Sequence, residues 1–197
     1  MGIKYLAKRV VLVVVFVFLA STKIGVANAQ NLPRPIDLRI QNISQQTPVW
    51  CWAAVAQQIV MSLQGVQGTP AQCSMVAIAN NKPPQYCCSD FRRCSVTGSL
   101  QQIQGLIAHF GGRYSSINPP ADPMTIYNTL LAGRPIIMAV KTTPYAGHVV
   151  VIRGMKWINT RYGPRAILLI NDPLAFFSAE VDFQSIGPYW QAAIVVN

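Results

Sequence analysis

Residues 45–54 read QQTPVWCWAA and place a cysteine between two tryptophans, after a proline-containing loop. Cys51 opens an apolar segment, Trp52 to Leu63, that predicts a buried helix. A thiol at a helix N-terminus faces unpaired backbone N–H groups and the positive end of the helix dipole. That environment favours the nucleophilic thiolate form of cysteine. The alternative is a structural Cys51, either buried or disulfide-bonded. The pairing of the other four cysteines bears on whether Cys51 is free.

Four further cysteines lie together in a polar, proline-containing segment: Cys73, Cys87, Cys88 and Cys94. Adjacent cysteines seldom pair with each other, because disulfide geometry strains the intervening peptide. We therefore expect two disulfides, joining Cys73 to either Cys87 or Cys88 and Cys94 to the other, in an insert over residues 73–98. A zinc site made by these four thiols is the competing interpretation, but no histidine lies nearby. With two disulfides formed, Cys51 is the free thiol.

The N-terminus has the pattern of a secretory signal peptide. Basic residues within positions 4–9 precede an apolar run that is too short to span a bilayer comfortably. Positions 27–29 read ANA, which predicts cleavage after Ala29 and a mature domain over residues 30–197. An uncleaved membrane anchor is the alternative. We expect a secreted protein, periplasmic or extracellular, without stable membrane insertion, in an oxidising compartment where disulfides form.

The charge distribution argues against a nucleic-acid partner. Loss of the four basic residues of the leader lowers the formal net charge from +10 to +6. The remaining basic residues are scattered, with Arg92-Arg93 the only adjacent pair. A nucleic-acid groove typically shows clustered Lys and Arg, often interleaved with aromatic residues, and this sequence has no such run.

The hydrophobic pattern predicts an α+β domain in which helices precede strands. Two further helices are predicted, over residues 99–110 and 124–132, with Asp122 as the N-cap of the second. Strands are predicted over residues 134–140, 148–154, 166–170 and 192–196. Strands this apolar favour a sheet that is covered on at least one face, with the helices as the cover.

Polar residues occur at the ends of two predicted strands. His148 begins one strand, and Asn171 and Asp172 end the next. In an antiparallel hairpin the start of one strand lies near the end of its partner, so an amide or a carboxylate can orient the imidazole. Together with the thiol of Cys51, these groups match the nucleophile, base and orienter of covalent catalysis. The residues alone leave Asn171 and Asp172 as alternative orienters.

Three motifs resemble those of papain-like cysteine proteases: CWAA at 51–54, GHVVVIRG at 147–154 and INDP at 170–173. They are most similar to a short bacterial branch that includes secreted effector proteases of plant pathogens and relatives of bacteriocin-leader peptidases. The resemblance implies a papain-like fold, with the nucleophile helix in an N-terminal helical part packed on a C-terminal antiparallel sheet.

The same resemblance implies a role for each site residue. Cys51 is the nucleophile, His148 is the general base and then the acid, and Asp172 is the orienter, because the branch often has Asp-Pro there. The oxyanion glutamine usually stands six residues before the cysteine, which is Gln45, and the adjacent Gln46 is its alternative.

The sequence therefore predicts a secreted thiol protease that hydrolyses peptide bonds through a thioester intermediate. Its expected partner is a protein or peptide substrate, and the mechanism requires no metal or cofactor. Acyl transfer or deamidation by the same triad, as in a transglutaminase, is one alternative. A non-catalytic, disulfide-stabilised binding domain with a structural Cys51 is another. The sequence predicts no oligomeric state.

Overall fold

A computed structural model of the chain describes residues 32–141, 147–175 and 180–197. The predicted signal peptide, residues 1–29, lies outside these ranges. The helices are α1 (Cys51–Gln64), α2 (Gln72–Ala79), α3 (Gln85–Ser89), α4 (Leu100–Gly111), α5 (Pro123–Leu131) and α6 (Phe183–Ile186). The strands are β1 (Ile36–Asp37), β2 (Ser115–Asn118), β3 (Ile136–Lys141), β4 (Gly147–Thr160), β5 (Gly163–Asn171), β6 (Glu180–Asp182) and β7 (Trp190–Val196).

The strands in the described part of the chain form one antiparallel sheet. Its order is β2-β7-β3-β4-β5-β6, and β1 pairs with β4 beside this path. Strands β4 and β5 form a long hairpin that closes between Thr160 and Gly163. The α+β class and the packing of helices on an antiparallel sheet are thus confirmed. None of the described helices is long and apolar enough to cross a membrane.

Helices pack on both faces of this sheet. On one face, α1, α2 and α4 contribute to a core that contains Val149 and Val151 of β4. On the other, Ile126 of α5 joins a second core that contains Val150 and Ile152. Successive strand residues point to opposite faces, so a strand buried on both sides has no polar alternation. The continuous apolar run of β4 follows from this position.

Local sequence signals set the helix boundaries. Ser99 and Gln102 form a reciprocal capping box at the start of α4, and Gly112 ends that helix in the left-handed conformation with a φ of 64°. The Asp122 side chain accepts hydrogen bonds from two backbone N–H groups at the start of α5. Both helices lie within one residue of their predicted ends.

Strand β1 fixes the start of the segment that leads to α1. It pairs antiparallel with β4, and at Gly154 of that pairing a Cβ atom would overlap the carbonyl oxygen of Ile36. Arg153 forms an ion pair with Asp37 beside it. Position 154 therefore requires a glycine. After β1 the chain runs toward the end of β5.

Candidate active site

Cys51 is the first residue of α1, and its thiol is half-buried and free. The preceding residue, Trp50, provides no side-chain cap, and the first turn contains no acidic residue. The helix dipole and the N–H groups of the first turn are therefore not neutralised by the helix's own side chains. This is the environment that the sequence predicts for a nucleophilic cysteine.

His148 and Asp172 meet beside this helix start. The Nε2 atom of His148 lies 2.6 Å from Oδ1 of Asp172, and both side chains are buried. The Cys51 thiol lies close enough to the imidazole to raise its pKa together with Asp172. Because Nε2 faces the carboxylate, Nδ1 is the ring nitrogen that can face the thiol. The structure thus brings together the three predicted side chains in the order thiol, imidazole and carboxylate.

The surroundings of His148 stabilise its protonated form. Burial of the imidazole lowers its pKa, but the hydrogen bonds and negative charges of Asp172 and Cys51 raise it more. The net effect raises the pKa of His148 from its ordinary 6.5 to about 9. At neutral pH the ring is therefore held as an imidazolium, which is the partner that a thiolate requires.

Asn171 and Asp172 point to different partners. The Asn171 side chain donates to the Ile40 carbonyl at 2.8 Å and is buried there. The Asp172 carboxylate faces His148 and also accepts the Leu174 backbone N–H at 2.9 Å. Since successive residues project to opposite sides at the end of a strand, only one of the two can reach the imidazole. Here that residue is Asp172.

Gln45 and Gln46 also differ in what they contact. The Gln45 backbone N–H donates to the Pro173 carbonyl at 3.2 Å, which ties this residue to the segment that follows Asp172. Its side-chain Nε2 donates to the Thr47 carbonyl at 2.7 Å. The Gln46 backbone N–H instead donates to the side chain of Gln72, on the helical side, and Gln46 itself is exposed. Gln45 is the one attached to the site.

Several amide side chains that position this loop were not identified from the sequence. Asn42 donates to the Asp172 carbonyl at 3.1 Å, and Gln58 of α1 donates to Oδ1 of Asn42 at 3.0 Å. Gln58 and Gln72 are fully buried or nearly so. The available signal was a glutamine in an otherwise apolar helical segment, because a buried amide needs hydrogen-bond partners.

The cysteine-rich insert contains two disulfides, Cys73–Cys88 and Cys87–Cys94. This is one of the two pairings that the sequence left open. All four thiols of the insert are therefore engaged, and Cys51 is the remaining cysteine of the chain.

The insert also contacts the residues on both sides of Cys51. The Trp50 indole donates to the Cys94 carbonyl at 2.8 Å, and the Trp52 indole donates to the Val96 carbonyl at 3.2 Å. Gly98 lies against the Trp52 ring so closely that a Cβ atom would overlap it. The disulfide-bonded segment therefore stabilises the start of α1 through its contacts with Trp50 and Trp52.

Comparison with known proteins identifies the family of the chain. A family model described as "Papain-like cysteine protease AvrRpt2" matches residues 30–190. A solved structure of a C39-like peptidase from Bacillus anthracis aligns with a TM-score of 0.51 at 11% identity, covering 84% of this chain and 98% of that chain. At this identity the likeness shows the fold alone. No curated protein sequence matches the chain significantly. Because the family model spans most of the sequence, the chain belongs to the papain-like cysteine protease AvrRpt2 family and is a cysteine peptidase.

Proposed function

We propose that the protein is a secreted thiol protease in which Cys51 is the nucleophile, His148 is the general base and then the acid, and Asp172 orients the imidazole. The observation that carries this proposal is the hydrogen bond between the buried side chains of His148 and Asp172 beside the free thiol of Cys51 at the start of a helix. A structural cysteine needs neither a charged imidazole nor a carboxylate behind it.

In the first half-reaction, the Cys51 thiolate attacks the carbonyl carbon of the scissile peptide bond. A carbon–sulfur bond forms, and the carbonyl electron pair moves onto oxygen to give a tetrahedral oxyanion. His148 then donates its proton to the leaving nitrogen as the carbon–nitrogen bond breaks. The amine product leaves, and the acyl group remains on Cys51 as a thioester.

In the second half-reaction, neutral His148 accepts a proton from water while the water oxygen adds to the thioester carbon. The tetrahedral intermediate collapses, the carbon–sulfur bond breaks, and the acid product leaves. Asp172 keeps Nε2 of the ring engaged throughout, so Nδ1 remains directed at the reacting atoms. The free enzyme returns with its thiolate and imidazolium.

We assign the oxyanion donors to the Cys51 backbone N–H and the Gln45 side-chain amide. A first-turn N–H has no acceptor within its own helix, so it is available to a substrate oxygen. One Gln45 amide hydrogen is directed at the Thr47 carbonyl, and we assign the second to the oxyanion. Removal of one such donor typically lowers kcat by about 10²–10³-fold.

Secretion and a protein or peptide substrate complete the proposal. The leader-like N-terminus supports export, and two disulfides are compatible with an oxidising compartment, because thiols in the cytosol are kept reduced. Family membership as a peptidase supports a polypeptide substrate.

The test is Cys51→Ala, which is expected to abolish hydrolysis of every peptide that the parent cleaves while the fold remains intact. Ser62→Ala, near the other end of α1, is the matched control and should retain activity. Mass spectrometry of a glutamine-containing peptide distinguishes backbone cleavage from deamidation and crosslinking. Turnover of Cys51→Ala at the parent's rate would contradict the proposed mechanism.

A further inference from the structure

Gln72 is a buried polar residue that takes no direct part in the proposed reaction. It is the first residue of α2 and is 1% exposed. Its Oε1 accepts the Gln46 backbone N–H at 2.9 Å. Its Nε2 donates to the Ser44 carbonyl at 2.8 Å and to Oε1 of Gln57 at 3.0 Å. The carbonyl and both hydrogens of the amide group therefore have partners.

The two backbone groups that Gln72 binds lie on either side of Gln45. A single rigid amide that accepts from residue 46 and donates to residue 44 fixes both peptide planes that flank residue 45. The side chain of Gln57 in α1 accepts a hydrogen bond from the Gln72 amide and itself donates to the Pro70 carbonyl at 2.8 Å. The orientation of this amide is thus set by the helix that begins at Cys51.

The opposite side of the same loop is attached to the end of β5. The Gln45 N–H donates to the Pro173 carbonyl, and Asn42 donates to the Asp172 carbonyl. Gln45 is therefore held between two supports, the segment beyond Asp172 on one side and Gln72 on the other. Loss of either support leaves its side chain less well directed.

We propose that Gln72 is a positioning residue for Gln45 in the oxyanion hole. This inference rests on the proposed function, because it takes Gln45 as an oxyanion donor. A donor contributes to catalysis only when it lies within hydrogen-bond distance of the developing oxyanion. A displacement of about 1 Å can lower the rate by roughly 10²-fold.

The experiment is a double-mutant cycle between Gln72→Met and Gln45→Ala, using a fluorogenic peptide selected on the parent enzyme. Gln72→Met is expected to lower kcat by about 10- to 100-fold, with little change in KM. In the Gln45→Ala background, the same change should lower kcat by less than about twofold, because residues that act through one another are not additive. Cys51 alkylation by iodoacetamide, which needs no oxyanion donor, should proceed at the parent's rate.

The control is Gln64→Met, which removes a comparable hydrogen bond, to the Gly111 carbonyl, at the far end of α1. It should keep kcat. Should Gln72→Met fail to fold, the milder Gln57→Met removes the partner that orients Gln72 and is expected to show the same non-additivity. Losses that multiply across the cycle, or an equal effect of Gln64→Met, would overturn the proposal. Full activity of Gln45→Ala alone would refute the oxyanion assignment and with it the role of Gln72, whereas activity of Cys51→Ala would refute the proposed function.

Discussion

The raised pKa of His148 predicts how both the stability and the activity of the protein depend on pH. Its pKa is raised to about 9 because hydrogen bonds and charges from Asp172 and Cys51 outweigh the effect of burial. A raised pKa means that folding favours the protonated ring. The resulting stability is fully present below the unfolded value of 6.5 and is lost as the pH rises through about 9.

The activity should follow the same group. In the proposed mechanism the imidazolium protonates the leaving amine, so kcat/KM should fall on the alkaline side with a midpoint near pH 9. Asp172→Asn removes the negative charge beside the ring and should move this midpoint to lower pH. A pH profile of the parent and the variant measures the shift. An unchanged alkaline limb in Asp172→Asn would contradict the account of His148.

Asp172 and Asn171 are adjacent but should differ in their effect on activity. Asp172→Ala removes the hydrogen-bond partner of the imidazole and is expected to lower kcat more than Asn171→Ala does. Asn171→Ala removes a buried hydrogen bond to Ile40, so its main effect should be on stability, by about 1–3 kcal/mol. Kinetics and thermal unfolding of both variants separate the two effects. A larger loss of kcat in Asn171→Ala at equal stability would reverse the assignment.

At the scale of elements, the two disulfides should have separable roles. Cys73–Cys88 spans 15 residues and Cys87–Cys94 spans 7. Restriction of the unfolded chain predicts about 3 kcal/mol for the first and about 2 kcal/mol for the second. Only the second includes Cys94, whose carbonyl accepts from Trp50 next to Cys51.

Paired alanine variants test this difference. Removing Cys73 and Cys88 should lower the unfolding free energy more than it lowers activity at 25 °C. Removing Cys87 and Cys94 should lower kcat more for the same or a smaller loss of stability, because the support of the α1 start is released. Chemical denaturation and peptide hydrolysis measure the two quantities. The reverse ranking would show that the insert does not support the start of α1 at Cys51.

The elements that could be predicted from the sequence are those with a strong periodic or apolar pattern. Helices α1, α4 and α5 and strands β3, β4, β5 and β7 have such a pattern. Strand β2 reads SSIN and has no strand-like alternation; its pairing with β7 forms it. Helices α2 and α3 lie in the insert, which has little apolar periodicity. Disulfides and packing stabilise them, and a sequence pattern does not reveal either.

The same division applies within the candidate site. Cys51, His148 and the pair Asn171 and Asp172 could be proposed as candidates because their chemistry is specific and each stands at the end of a recognisable element. The supporting amides of Asn42, Gln58 and Gln72 could not, because their function depends on backbone groups brought close by the tertiary fold. The choice between Asp172 and Asn171 likewise required the direction of each side chain at the end of β5.

At the scale of the whole molecule, the antiparallel topology explains why the candidate residues meet although they are far apart in sequence. Helix α1 packs on one face of the sheet, against β4. Strand β5 runs antiparallel beside β4, so the end of β5 lies near the start of β4. Residue 51 is thereby brought to residues 148 and 172. Two further contacts stabilise this arrangement. The insert accepts a hydrogen bond from Trp50 beside Cys51, and the loop before α1 donates one to Pro173 beside Asp172.

The central claim, a single reactive nucleophile at Cys51 in an exported and disulfide-bonded protease, has one direct test. The full chain is exported into an oxidising compartment, treated with an epoxide-type thiol protease inhibitor without reductant, and mapped by peptide mass spectrometry under non-reducing conditions. The account predicts one label per chain, on Cys51, with Cys73–Cys88 and Cys87–Cys94 intact. A label on another cysteine, or Cys51 bonded to any of the other four, would contradict it.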